Sequence, residues 1–157
     1  EGIIEHQHSM GAASGEKEAI GKSKGGNTTK VHMAVDSYGL PLHFELSEGQ
    51  KNDSTMAETM LEKLPVANFL IADKGYDSEA IRDSIRKRGI IPIIPRRKNS
   101  HKGNADMDWH LYKYRHLVEN IFARIKHYRD IATRYDKLKR NYESMLALAC
   151  GIIWLLM

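Results

Sequence analysis

The stretch NFLIADKGYDS, Asn68 to Ser78, decides how the chain reads. Asn68 to Ala72 is a short, continuous apolar run, the pattern of a central strand covered on both faces. The run passes directly into Asp73, and a carboxylate at the C-terminal end of a central strand stands where open α/β sheets place their sites. Asp73 can also be read as a turn former, and Asp77 reads as one. Asp77 or Ser78 then caps a helix reaching about Arg88, which Gly89 closes. Ile90 to Ile94 is a further strand, confined to a sheet edge or a short run by Pro92 and Pro95.

Upstream, Val31, Met33 and Val35 alternate with Lys30 and His32, and Leu42, Phe44 and Leu46 alternate with His43 and Glu45. Asp36-Ser37-Tyr38-Gly39 supplies the turn, so an antiparallel hairpin with one buried face is expected, and His32 and His43 fall on its polar face. A helix from about Ser54 to Lys63 follows, with Asp53 or Ser54 as its cap. Before the hairpin, Met10 to Asn27 is rich in Gly, Ser and Lys and reads as a flexible loop. Its segment GEKEAIGKS, Gly15 to Ser23, looks like a phosphate-binding loop, but five residues separate the glycines where four are needed. A nucleotide site is therefore rejected. Ile3 and Ile4 read as the tail of a strand. His6-Gln7-His8 lacks further ligands nearby and reads as surface rather than metal site.

Downstream, Arg96, Arg97 and Lys98 open a polar loop and are either solvated cations or phosphate contacts. Tyr112 to Lys126, YKYRHLVENIFARIK, then has helical periodicity. Leu111, Tyr114, Val118, Ile121, Phe122 and Ile125 form one apolar stripe. Tyr112, Arg115, Glu119 and Lys126, at offsets 0, 3, 7 and 14, share a narrow arc beside it. Such an edge is either a solvated ion-pair face or a half-desolvated carboxylate among cations, suited to a metal or a phosphate-rich partner. Arg129, Arg134, Lys137, Lys139 and Arg140, interleaved with Tyr128 and Tyr135, extend the basic character. Asn141 is the expected cap of a last helix ending in CGIIWLLM.

The 157 residues suffice for one domain with a proper core, and the formal charge of +4 favours an anionic partner. A single cysteine, Cys150 in an apolar run, excludes a disulfide framework or thiolate metal site. The first thirty residues hold no apolar segment of the kind that opens a secreted chain, and the apolar tail is too short to span a bilayer. A soluble, intracellular domain is expected.

The order of strand end, hairpin, helix, central strand with Asp73, helix, strand, loop and helix with Glu119 resembles the RNase H-like fold. The motifs resemble those of the DDE transposases of bacterial insertion sequences. One branch of that family carries its third catalytic residue in Tyr-x2-Arg-x3-Glu-x6-Lys, matched in type and spacing by Tyr112, Arg115, Glu119 and Lys126. Its second carboxylate lies in a motif similar to Ala72 to Ser78, with Asp73 as the catalytic residue. Gly25 to Lys30, Ile94 to Lys98 and Ile131 to Lys137 add further similarity. The resemblance implies one α/β domain over residues 1–157, a mixed sheet with an antiparallel hairpin flanked by helices.

It also implies metal-dependent cleavage of transposon DNA ends and strand transfer by a 3′-hydroxyl. Asp73 and Glu119 would hold Mg²⁺ or Mn²⁺, with Arg115, Lys126 and Tyr112 beside them. Lys74, Arg96, Arg97, Lys98, Arg129, Arg134 and Lys137 are the expected DNA contacts. The partners would be transposon-end and target DNA, met by a homo-oligomer in a bacterial cytoplasm and without any membrane. The family's first Asp has no match in Glu1 or Glu5 and is expected just upstream of Glu1, on a strand whose start is missing, as is the amino-terminal DNA-binding segment. A non-catalytic DNA-binding relic and a nuclease that cuts without joining are the rival readings.

Overall fold

The computed structural model describes residues 2–11, 18–23 and 26–156. Its strands are β1 (Gly2–Gly11), β2 (Gly21–Ser23), β3 (Gly26–Val35), β4 (Pro41–Glu48), β5 (Phe69–Ala72), β6 (Ile91–Ile93) and β7 (Thr133–Arg134). The helices are α1 (Ala57–Lys63), α2 (Glu79–Lys87), α3 (Trp109–Tyr112), α4 (His116–Ile125), α5 (Arg129–Ala132) and α6 (Lys139–Leu155). Among the described residues one sheet runs β2-β3-β1-β5-β6, with β4 on β3 and β7 on β1. β1, β3 and β4 are antiparallel neighbours, while β5 lies parallel to both β1 and β6.

The sheet separates two cores. On one face, Val31, Met33, Val35, Leu46, Ile71 and Ile93 meet Val118, Ile121, Phe122 and Ile125 of α4 and Tyr142, Leu146 and Ile153 of α6. On the other, Ala34, Leu70, Ala72 and Ile94 meet Met60 and Leu61 of α1 and Ile81 and Ile85 of α2. Period-two alternation assigns the faces: Ile71 looks to α4, Leu70 and Ala72 to α1 and α2. The β3–β4 turn is held by Asp36 Oδ1, which accepts from the backbone N–H of Tyr38 (2.9 Å) and Leu40 (2.8 Å). Gly39 takes the left-handed φ of +82° that this tight return needs. Pro92 lies on the edge strand β6, where its missing N–H costs the ladder nothing.

Several sequence expectations change. The strand opening with Ile3 and Ile4 runs through His6-Gln7-His8 to Gly11, in register with β3. The segment read as a loop from Met10 contains β2 and the start of β3; residues 12–17 and 24–25 of it lie outside the described residues. Gly21–Ser23, the end of the segment compared with a phosphate-binding loop, lies in a strand paired antiparallel with the start of β3. Strand β3 is buried on both faces, because α1 and the turns after β4 and β5 cover the side read as polar, and His32 is 0% exposed, while β4 stays partly exposed. Tyr114 leaves the apolar stripe for solvent because a 3-10 turn, Lys113–Arg115, interrupts the helix and shifts the phase. The caps also differ: Asp53 lies inside a 3-10 turn (Asp53–Met56), Ser78 makes no capping bond, and α6 begins two residues before Asn141.

Candidate active site

Asp73 follows β5 directly, in extended conformation (φ −69°, ψ 161°), and opens a 3-10 turn, Lys74–Tyr76. Its Oδ1 accepts the backbone N–H of Lys74 at 2.6 Å, which fixes the carboxylate while the other oxygen bonds no described residue. Two residues beyond Ile71, it leaves the strand on the side that carries α4.

The turn is anchored from beneath. Tyr76 is buried, and its hydroxyl meets His32 Nδ1 at 2.7 Å, while His32 Nε2 meets Ser47 Oγ at 2.8 Å. Asp53 pairs with Lys30 Nζ at 2.8 Å, and Lys30 also donates to the Lys51 carbonyl at 2.7 Å. From above, the Arg97 guanidinium donates to the carbonyls of Lys74 (3.4 Å) and Gly75 (3.3 Å). Asp77, expected as a plain turn former, ties both sides together. It accepts from Arg82 Nη2 at 2.8 Å and from the Arg97 backbone N–H at 2.7 Å. Arg82 in turn donates to the Ile94 carbonyl at 2.6 Å, so the turn after β5 and the loop after β6 form one unit.

The second carboxylate comes from the helical segment. Asp108 caps α3 by accepting from the N–H groups of His110 (2.9 Å) and Leu111 (3.0 Å). The Lys113–Arg115 turn packs on β1 and β5, and Val118, Ile121, Phe122 and Ile125 seat α4 on the sheet face that Ile71 shares. Arg115 Nη2 lies 2.6 Å from Glu119 Oε1, and its guanidinium sits 5.8 Å from the Tyr112 ring centre. Glu119 is 49% exposed and Arg115 25% exposed. An exposed i,i+4 pair of this kind contributes only about 0.5 kcal/mol to stability, so its main effect is to fix the carboxylate's direction. Tyr112, Arg115 and Glu119 thus form one connected group. Lys126 ends α4, exposed, further along the same edge.

The expected DNA-contacting cations divide. Lys74, Arg97, Lys98, Arg129 and Lys137 are exposed. Arg96 instead lies with its side chain 7% exposed against Glu79, with Asp106 at 4.0 Å. Its hydrogen bond holds the Glu79 carboxyl below the usual range. Arg134 is a clear correction. It is 1% exposed, donates to Thr29 Oγ1 (2.7 Å) and to the carbonyls of Asp136 (3.0 Å) and Lys137 (3.1 Å), and lies over the Tyr142 ring. Burial lowers its pKa, and its guanidinium is engaged by Thr29 and the two carbonyls. Cys150 is also buried, which pushes its thiol up to about 11.

Residues 5–154 match the family model described as the transposase DDE domain, and the chain belongs to that family. It is 35% identical over 132 residues to a protein of Brucella ovis named as the transposase for insertion sequence element IS6501, covering 82% of this chain and 98% of that protein. A Burkholderia cepacia protein named as the transposase for element IS402 is 31% identical over 136 residues, covering 80% of this chain and 62% of that relative. Transposase and insertion-sequence membership, expected from Asp73 and the Tyr112–Lys126 pattern, is thereby established. None of the helices among the described residues is long and apolar enough to cross a membrane.

Proposed function

We propose that this domain has the RNase H-like architecture and cleaves transposon DNA ends, then joins the freed 3′-hydroxyl to target DNA, with Asp73 and Glu119 among its metal ligands. The observation that carries this is spatial. Asp73 ends the strand next to β1, and Glu119 rides on the helix packed against the same sheet face, with its carboxylate aimed by Arg115. The strand order β4-β3-β1-β5-β6, three antiparallel and then two parallel, supports the architecture.

The donor set fits a hard divalent ion. Asp73 keeps one oxygen free of described partners and Glu119 is half exposed, and carboxylate oxygens suit Mg²⁺ or Mn²⁺. Among the described residues no group of three or more His, Cys, Asp or Glu converges, so the reading rests on Asp73 and Glu119 alone. Bound divalent ions would supply charge neutralisation at the scissile phosphate. The protein's own groups do the rest. The Asp73 turn holds one carboxylate rigid, and Arg115 fixes the second. Lys126 and Arg97 contribute positive charge where the DNA backbone lies, and Tyr112 braces Arg115 and one strand.

In cleavage, a water oxygen bonds to phosphorus as the bond to the 3′-oxygen breaks, and that oxygen leaves with a proton as a 3′-hydroxyl. In joining, this hydroxyl attacks a target phosphodiester, releasing the target's own 3′-oxygen. The positively charged surface of Lys74, Lys98, Arg129 and Lys137 would bind the backbone irrespective of sequence. The test is Mg²⁺-dependent nicking of insertion-sequence end DNA by the complete transposase. Glu119→Gln should lower nicking at least about 100-fold with binding retained. Full nicking by that variant would overturn the assignment.

A further inference from the structure

Resting on the reading of Asp73 as a metal ligand, we propose that Asp53, Lys30 and Gly75 act as positioning residues that set the Asp73 carboxylate. The 3-10 turn Lys74–Tyr76, which begins at Asp73, packs on the 3-10 turn that begins at Asp53. A methyl group built on Gly75 would sit 2.7 Å from Asp53 Oδ2, far inside contact distance, so the Asp53 carboxylate lies directly against this backbone. Its other oxygen is held at 2.8 Å by Lys30 Nζ, and the two side chains are only 12% and 11% exposed.

Lys30 extends from β3 inside the sheet and is itself tied to the Lys51 carbonyl at 2.7 Å. The chain of contacts therefore runs from a rigid strand, through a buried ion pair, to the backbone two residues after Asp73. A nearly buried ion pair contributes little net stability once desolvation is counted, and this one holds the Asp53 carboxylate against Gly75. The height of the turn above the sheet sets where Asp73 points. Glycine at 75 is required by Asp53 and not by backbone conformation, because Gly75 does not take a left-handed φ.

The test is Mn²⁺ titration of the full chain, followed by electron paramagnetic resonance of free Mn²⁺, at a temperature where thermal melts show each variant folded. Asp73→Asn should abolish the Asp73-dependent binding. Gly75→Ala, Asp53→Asn and Lys30→Met should each weaken it about tenfold, the range found when a partner behind a metal ligand is lost. Thr55→Val removes a hydroxyl bond to the Asn52 carbonyl in the same 3-10 turn and serves as the structural control. It should move melting without moving Mn²⁺ affinity. If Gly75→Ala does not fold, Asp53→Asn decides. Mn²⁺ binding that is lost in Asp73→Asn but unchanged in the Asp53 and Gly75 variants overturns the positioning role alone. Binding unchanged in Asp73→Asn overturns the metal assignment itself, whatever the other variants do.

Discussion

At the residue scale, charge type alone does not say what a cation does. Arg129 and Arg134 stand five positions apart in one basic stretch, yet Arg129 is exposed and Arg134 is buried under Thr29 and Tyr142. Arg134→Ala would leave the Thr29 hydroxyl and two carbonyls without their buried donor, and should cost about 3 kcal/mol, read as a lower urea midpoint. DNA affinity measured on the folded variant should not change. Arg129→Ala should do the reverse, leaving the midpoint in place, weakening DNA binding and lowering the salt dependence by about one unit. The same division explains what can be read from sequence here. Asp73 and the Tyr112, Arg115, Glu119 spacing are local patterns, visible in a few adjacent residues. Asp53 meets Lys30 across 23 positions and Gly75 across 22, and Arg134 meets Thr29 across 105. The role of Gly75 becomes visible only from its backbone, which takes no left-handed φ, and from Asp53 packed against it.

At the element scale, strand and helix identities follow from period and punctuation, while ends and phases do not. The apolar run before Asp73, the hairpin around Asp36–Gly39 and the helix closed by Gly89 all stand where their side-chain patterns put them. The second buried face of β3 could not be read from Lys30 and His32, because polar residues there are paired by Asp53, Tyr76 and Ser47 instead of being solvated. The Lys113–Arg115 turn is equally hidden, since it changes helical phase without any Gly or Pro to announce it. Where punctuation is present it has a measurable cost of removal. Gly89 takes φ +75° at the end of α2 with nothing within 4 Å of its missing side chain. Gly89→Ala therefore meets only backbone strain and should destabilise the fold by about 1 kcal/mol in chemical denaturation.

At the scale of the whole molecule, one sheet gathers what the sequence separates. β5 delivers Asp73 beside β1, and the core shared by Ile71, Val118 and Ile121 binds α4 to the same face. The 45 residues between Asp73 and Glu119 pass through α2, the edge strand β6 and the loop that Asp77 and Arg97 clamp to the Asp73 turn. Stability and site are therefore coupled through the sheet and through that clamp. The most direct measurement is Fe²⁺-directed hydroxyl-radical cleavage of the polypeptide, with Fe²⁺ replacing Mg²⁺ in the folded protein. A metal shared by the two carboxylates predicts backbone cuts near both residue 73 and residue 119, suppressed by excess Mg²⁺ and lost together in Asp73→Asn. Cuts near only one of them, or cuts that persist in Asp73→Asn, would contradict a common site.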